Sequence, residues 1–338
     1  MVRFRIAHAL SAIGLLLLTG CGADVKSAAP SSGSVPPVQV SNCGLQFTSD
    51  RVPSRVVTND TGITEMMFAL GLRDKLIGYT TYDGGVRDIA SSPWRGDFAA
   101  TRTLGTSFTR EVIAAARPDF VFAGWNYGFR ESTGVTPDWV RSIGAQPYQL
   151  TEACRQPGGG TRRGIMRPFD ALVADITNLG AIFRVPDRAA ALVASFRKTL
   201  SESAKAQPEG AAPARVFVFD SADPAPFTAG RTATPDQIIA DAGGSNIFDD
   251  LNDSWTTVSW EAAAQRDPQV IVIVDYGTGP ANAVQTKKAL LEQHPLMSRT
   301  AAVVNKRYVV LPYAAMVESP RYAESTATIA RYLRSQGY

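Results

Sequence analysis

Histidine is scarce in this chain, with two in 338 residues. His8 lies in an apolar leader, which leaves His294 as the one imidazole of the mature chain. A Ser-His-Asp or Cys-His nucleophile would have to use it. It stands in Glu292-Gln293-His294-Pro295-Leu296, a run that reads as a helix end. A metal site of several histidines is ruled out by count, so no zinc or manganese site is expected. There is no GxxxxGK[ST] phosphate loop and no GxSxG elbow. What remains is recognition chemistry. Trp94, Trp125, Tyr127, Trp255, Tyr276 and Tyr313 offer flat apolar faces, and Arg130, Arg231 and Arg321 offer forked donors for carboxylate or phosphate. No catalytic residue and no cofactor is expected, because no nucleophile–base pair or metal constellation is present.

These side chains need a frame. In residues 51–185, Arg55–Thr58, Leu76–Tyr79, Phe120–Gly124 and Gln146–Leu150 read as strands. Helices alternate with them at Ile63–Leu70, Thr109–Ala116 and Asp138–Ile143. Asp83–Leu104 reads as a long polar loop that carries Trp94. In residues 208–338, Arg215–Phe219, Val270–Val274 and Tyr308–Leu311 are strands. Asp220–Ala229 is a Pro-rich loop, and helices start near Thr234, Ser259, Lys287 and Arg321. Alternation of this kind predicts an α/β fold with two lobes of mainly parallel sheet. Between the lobes, Pro186–Gln207 has Ala189, Leu192, Val193, Phe196 and Leu200 on one helical stripe, and reads as a single rigid helix joining them. Ligands of open parallel sheets bind beyond the carboxyl ends of the strands. Trp125–Arg130 and Asp275–Gly277 occupy such ends. The loop Gly158–Gly164, with Arg162 and Arg163, has backbone N–H groups suited to an anion, but reads more simply as a flexible basic connection.

The two lobes echo each other. Glu111 is followed seven residues later by Pro118 and an apolar strand, and Glu261 at the same interval by Pro268 and an apolar strand. Each strand then delivers an aromatic, Trp125 and Tyr127 in one lobe and Tyr276 in the other. The front of the chain is different in kind. Arg3 and Arg5 precede an apolar run, Ala7–Leu18, that is too short for a comfortable membrane span and reads as an export signal over residues 1–20. Leu18-Thr19-Gly20-Cys21 resembles a bacterial lipobox, which implies a lipid on Cys21. Residues 21–50, rich at first in Ser, Pro, Gly and Ala, read as a disordered tether to the membrane. An exported chain matures in an oxidising compartment, so Cys43 and Cys154 are a natural disulfide pair; a thiol metal or redox site is the weaker alternative. The formal charge is +3, and less once Arg3 and Arg5 are removed, which gives no reason to expect a nucleic-acid partner.

Taken together, these residues resemble the class III substrate-binding proteins of ABC importers, the group that carries ferric siderophores, haem or corrinoids. The resemblance runs from Arg55 to about Leu333. It rests on Ile63-Thr-Glu-Met-Met-Phe-Ala-Leu-Gly-Leu72, on the two Glu-to-Pro units with their strands, and on Ala301-Ala-Val-Val-Asn-Lys-Arg-Tyr308. It implies a ligand cleft between lobes joined by one helix, and a monomer lipid-anchored at the envelope. It also implies that Glu111 and Glu261 meet arginines of a membrane permease, and that Trp255 stacks on the ligand. Asn126-Tyr127-Gly128, Thr151–Cys154 and Glu318–Arg321 look like a subgroup some of whose relatives are proposed importers of a deazaflavin-cofactor precursor. The ligand expected is therefore a bulky metal chelate or corrinoid, with another bulky anionic cofactor precursor as the alternative. A bare metal ion and an extracytoplasmic enzyme are the competing readings.

Overall fold

The computed structural model describes residues 36–338, apart from 159, 206–209, 211 and 278–282. The export signal, Cys21 and the start of the tether lie outside the described residues. The chain enters through a hairpin, β1 (Val38–Asn42) and β2 (Leu45–Ser49), in a stretch expected to be tether. Alternation of half-buried and exposed residues along β1 gives it one face to lay down, which a tether lacks. Phe47 packs edge-on against Phe120 and Tyr148. Asn42 exchanges two hydrogen bonds with the Gln149 backbone, at 2.8 and 3.1 Å. Cys43 at the hairpin tip is bonded to Cys154, 111 residues on, with Cα atoms 5.2 Å apart. Closing so long a loop limits the unfolded chain by roughly 4–5 kcal/mol, less any native strain.

The first sheet is parallel. Its strands are β3 (Val56–Asn59), β4 (Leu76–Thr80), β5 (Phe120–Ala123) and β6 (Gln146–Gln149), in the spatial order β4-β3-β5-β6. Its helices are α1 (Thr61–Ala69), α2 (Gly85–Ala90), α3 (Arg95–Ala99), α4 (Arg110–Ala116) and α5 (Pro137–Ser142). Helices α2 and α3 lie within the span expected to be loop. Phe98 of α3 is the reason, since it inserts between Phe68 and Tyr79 in the core. Two helices follow β6, α6 (Pro168–Ile182) and α7 (Pro186–Lys205). The second is the expected joining helix, and buries Ala189, Val193 and Phe196 while Leu192 and Leu200 are half-buried. The first was not foreseen. It packs along α7, and Gly180 lets the two approach so closely that a Cβ there would strike Ala189.

The second sheet is also parallel, with β7 (Ala214–Phe219), β10 (Gly244–Asn246), β12 (Val270–Asp275) and β13 (Tyr308–Pro312) in the order β10-β7-β12-β13. In each lobe the strands therefore stand second, first, third, fourth. The repeat read from Glu111 and Glu261 is a repeat of topology. Strand alternation divides the core here. Val216, Val218, Val270, Val272 and Val274 face the cluster continuous with the first lobe, whereas Phe217, Phe219, Ile271 and Ile273 face a separate cluster. A fully apolar strand is what such two-sided burial requires. The first face is covered by α7, α8 (Thr234–Asp241) and α12 (Tyr322–Ser335), the second by α9 (Trp260–Gln265), α10 (Val284–Gln293) and α11 (Ala301–Val304). The expected loop after β7 is instead an antiparallel ribbon, β8 (Ser221–Ala222) and β9 (Pro226–Ala229) with β11 (Trp255–Thr257).

Candidate binding site

The site is assembled from strand ends. β5 stops at Ala123, and the chain folds back on itself at once. Phe129 N donates to Gly124 O at 2.7 Å, and Asn126 N to Phe129 O at 2.8 Å. Asn126 takes a positive φ of 75°, which asparagine tolerates better than most residues. This tight loop lays the Tyr127 ring over Gly124, where any Cβ would collide with it. From the second lobe, β12 delivers Tyr276 and β13 delivers Tyr313. The ribbon contributes Phe227 of β9 and Trp255 of β11, whose rings stack at 5.9 Å. Together with Asn126, Glu152, Ala153, Arg163, Asp220, Ser254 and Val317, these residues enclose a cavity of about 210 Å³.

The tyrosines are fixed from behind. Tyr276 Oη donates to Asp220 Oδ1 at 2.8 Å, and Tyr313 Oη to Asp60 Oδ2 at 2.7 Å. Tyr82 meets both rings edge-on, at 5.3 and 4.9 Å. Lys287 donates to the Asp220 and Val274 carbonyls and lies 5.0 Å from the Tyr276 ring. Burial raises the pKa of Asp60 to about 6, against the hydrogen bonds from Tyr313 and Gly62. Burial likewise raises Asp220, and it lifts Tyr127, Tyr276 and Tyr313 well above the ordinary phenol value. These phenols are neutral donors at any physiological pH. Glu152 is held from three directions: Ser254 Oγ donates to its Oε1 at 3.0 Å, Thr234 Oγ1 to its Oε2 at 2.8 Å and Glu318 N to the same oxygen at 3.1 Å.

The structure thus gathers Tyr127, Trp255, Tyr276 and Tyr313 on one cavity and leaves the other expected contacts elsewhere. Trp125 is buried beneath the Arg155 guanidinium, which lies 4.3 Å from its ring. Arg130 is exposed and donates to Asn126 O. Arg231 is exposed and bonds Asp249 O at 3.2 Å. Arg321, expected to meet a ligand anion, is committed to Glu65, with Nε–Oε2 at 2.8 Å, and stands 3.3 Å from Asp88. Both carboxylates are buried, and a guanidinium so placed must be paired. Trp94 lines a separate cavity of about 240 Å³ with Pro312, Ala315 and Arg321. Sequence reasoning missed Phe227, Glu152, Asp220 and Arg163. Arg163 had a signal as one of the basic residues in the Gly158–Gly164 loop, and Glu152 as part of Thr151–Cys154, whereas Asp220 and Phe227 lay in the span expected to be a Pro-rich loop.

Glu111 and Glu261 are exposed in the first turns of α4 and α9, capped by Thr109 and Ser259. Backbone hydrogen bonding at the helix start and the Thr109 hydroxyl hold the Glu111 carboxyl below the usual range. Neither lines the cavity. Among the described residues, no cluster of three or more His, Cys, Asp or Glu is arranged to hold a metal ion.

A family model described as periplasmic binding protein matches residues 56–315. The vitamin B12-binding protein of Pectobacterium atrosepticum is 25% identical over 232 residues, covering 66% of this chain and 72% of the relative. An uncharacterized ABC transporter substrate-binding lipoprotein of Bacillus subtilis, YvrC, is 24% identical over 329 residues, covering 94% of this chain and 93% of the relative. Among solved structures, the ABC-type Fe3+-hydroxamate transport protein of Saccharomonospora viridis superposes with a TM-score of 0.73 at 21% identity. That match covers 88% of this chain and 99% of the other. Similarity at that identity speaks for the fold.

Proposed function

The chain belongs to the periplasmic binding protein family, and from that premise we propose that it captures a bulky, flat-faced ligand outside the cytoplasm for an ABC importer. The observation that carries this reading is the cavity itself. Tyr127 comes from the end of one parallel sheet, Tyr276 and Tyr313 from the end of the other, and Trp255 from the ribbon that follows β7. Large aromatic walls with a few fixed polar groups suit a conjugated macrocycle or an iron chelate. The vitamin B12-binding relative supports that ligand class.

On this reading Cys21 carries the lipid anchor and the protein works as a monomer at the membrane surface. Glu111 and Glu261 dock the two lobes onto permease arginines, leaving the cavity over the pore. Their exposure on matching helices supports that role. Native mass spectrometry of protein isolated from its own envelope tests the function. A bound small molecule that absorbs visible light is the expected result, and Trp255→Ala should weaken its binding by about 1–4 kcal/mol if this ring is a buried anchor. A folded Trp255→Ala protein of unchanged affinity, or a ligand-free protein with enzymatic turnover, would overturn the proposal.

A further inference from the structure

Arg163 is a charged group on the cavity wall that forms no ion pair among the described residues. It is 9% exposed. Its Nη1 donates to Trp125 O at 3.3 Å, and among the described residues no carboxylate stands within salt-bridge distance of its guanidinium. Arg321, at 7% exposure, shows what such a charge ordinarily requires, since Glu65 and Asp88 both close on it. An arginine removed from water without a partner is strongly unfavourable. The carboxylates that share the cavity wall are already engaged. Glu152 accepts from Thr234, Ser254 and Glu318, and Asp220 accepts from Tyr276 and Ser221.

At its Arg163 end, the loop is pinned by hydrogen bonds to the second lobe. Arg163 N donates to Asp253 Oδ1 at 3.0 Å, while Arg163 O accepts from Thr232 Oγ1 and Gln156 Nε2, both at 3.0 Å. Arg155 and Arg163 form an antiparallel bridge. Gly164 follows at φ +86° and passes so near Thr232 that a Cβ would collide. The backbone is thereby tied to the second lobe while the guanidinium reaches the end of β5 in the first. Its position is set before a ligand arrives, which lowers the ordering cost of binding.

We propose that Arg163 orients the ligand, and that this ligand joins a flat conjugated body to an anionic oxygen group, a carboxylate or a phosphate. The proposal rests on the binding function argued above and names the chemistry that function must accommodate. A guanidinium pairs such groups through two parallel N–H donors, and aromatic walls hold the body beside it.

Two fluorescent dyes of like shape separate charge from area: 1-anilinonaphthalene-8-sulfonate and the neutral N-phenyl-1-naphthylamine. Each is titrated into the mature protein, Arg163→Gln, Arg163→Lys and Trp255→Ala, with urea unfolding to verify that every variant is folded. The expected result is a loss of about tenfold or more in sulfonate-dye affinity for Arg163→Gln, the size of one charged hydrogen bond. Arg163→Lys should lose less, and the neutral dye should bind both Arg163 variants as it binds the unaltered protein. Trp255→Ala should weaken both dyes. Displacement of the sulfonate dye by 1-naphthoate or by 1-naphthyl phosphate supports the proposal, and the more effective of the two names the anion. If Arg163→Gln leaves the sulfonate dye unaffected, weakens both dyes alike, or if 1-naphthamide displaces as well as the acids, the proposal is wrong while the cavity reading stands. If neither dye responds to Trp255→Ala, the cavity reading fails and takes this inference with it.

Discussion

Asp60 shows how much one carboxyl carries. It stands at the corner between β3 and α1 with φ 86°, bonds Gly62 N at 2.8 Å, and receives the Tyr313 hydroxyl that forms a cavity wall. Its folded pKa of about 6 exceeds the ordinary value of 3.8 because burial disfavours the charge. Asp88, next to Arg321, is raised by burial to about 7. A carboxyl raised in the folded state makes the folded chain bind more protons than the unfolded one. Its stabilising contribution is complete below about pH 4 and is lost as pH rises through about 6. For Asp60 the shift of about two units corresponds to roughly 3 kcal/mol across that window. Asp60→Asn should therefore flatten the fall in stability between pH 4 and 6, measured by urea unfolding at stepped pH. An unaltered slope would show that Asp60 titrates in the folded state as it does in the unfolded chain.

At the scale of elements, α4 and α9 are a matched pair. Each is short and capped by a hydroxyl that accepts from the backbone N–H three residues on, Thr109 from Val112 and Ser259 from Ala262. Each presents its glutamate in the first turn, where a carboxylate also favours the helix dipole. The dipole alone explains a glutamate on either helix but gives no reason for matching exposed positions away from the cavity on both. Reversing both charges, Glu111→Arg with Glu261→Arg, should leave ligand affinity in solution unaltered. Uptake by cells should fall sharply, because like charges then oppose each other at the permease. Unimpaired uptake would dismiss docking, and lost ligand binding would move these glutamates into the site. The ribbon of β8, β9 and β11 is the contrasting case. Among the described residues it has no counterpart in the first lobe's sheet, yet it supplies Phe227 and Trp255 to the cavity.

Over the whole molecule, residues 37–338 form one compact unit despite having two parallel sheets. The larger core cluster runs without a break from Val56 and Phe120 in the first sheet, through Ile176, Val193 and Phe196 of α6 and α7, to Val216 and Val272 in the second. Buried polar contacts follow the same route. Glu152, just after β6, bonds Thr234 at the start of α8, and Arg321, at the start of α12, bonds Glu65 in α1. Shared burial of this kind predicts a single unfolding transition, with tryptophan fluorescence and far-ultraviolet circular dichroism coinciding. Two separated transitions would mean that the sheets unfold independently. Replacing Cys43 and Cys154 together by serine should keep the transition single and lower its free energy by roughly 4 kcal/mol, less the native strain released.

The sequence by itself determined the two parallel sheets and their repetition, because a strand buried on both faces must be apolar along its length, as Phe120–Ala123 and Val270–Val274 are. It determined the caps at Thr109 and Ser259, since a helix start is a local affair of hydroxyl and backbone. It also made Cys43 and Cys154 the natural pair, once Cys21 was assigned to the lipid. The cavity was half legible. Aromatics at strand ends pointed to Tyr127, Tyr276 and Tyr313, since a strand's carboxyl end is fixed by its own apolar run. Only the tertiary structure decided which arginine faces the cavity. Arg130, Arg231, Arg321 and Arg163 are the same residue in the sequence, and what separates them is the neighbour each finds across the fold. Glu65 and Asp88 claim Arg321, and the surface holds Arg130 and Arg231. Asp253, Thr232 and Gln156 clamp the backbone at Arg163, 69 to 90 residues away in the case of the first two. Pairing at such separations depends on where the chain returns in space, and no local pattern of residues encodes that.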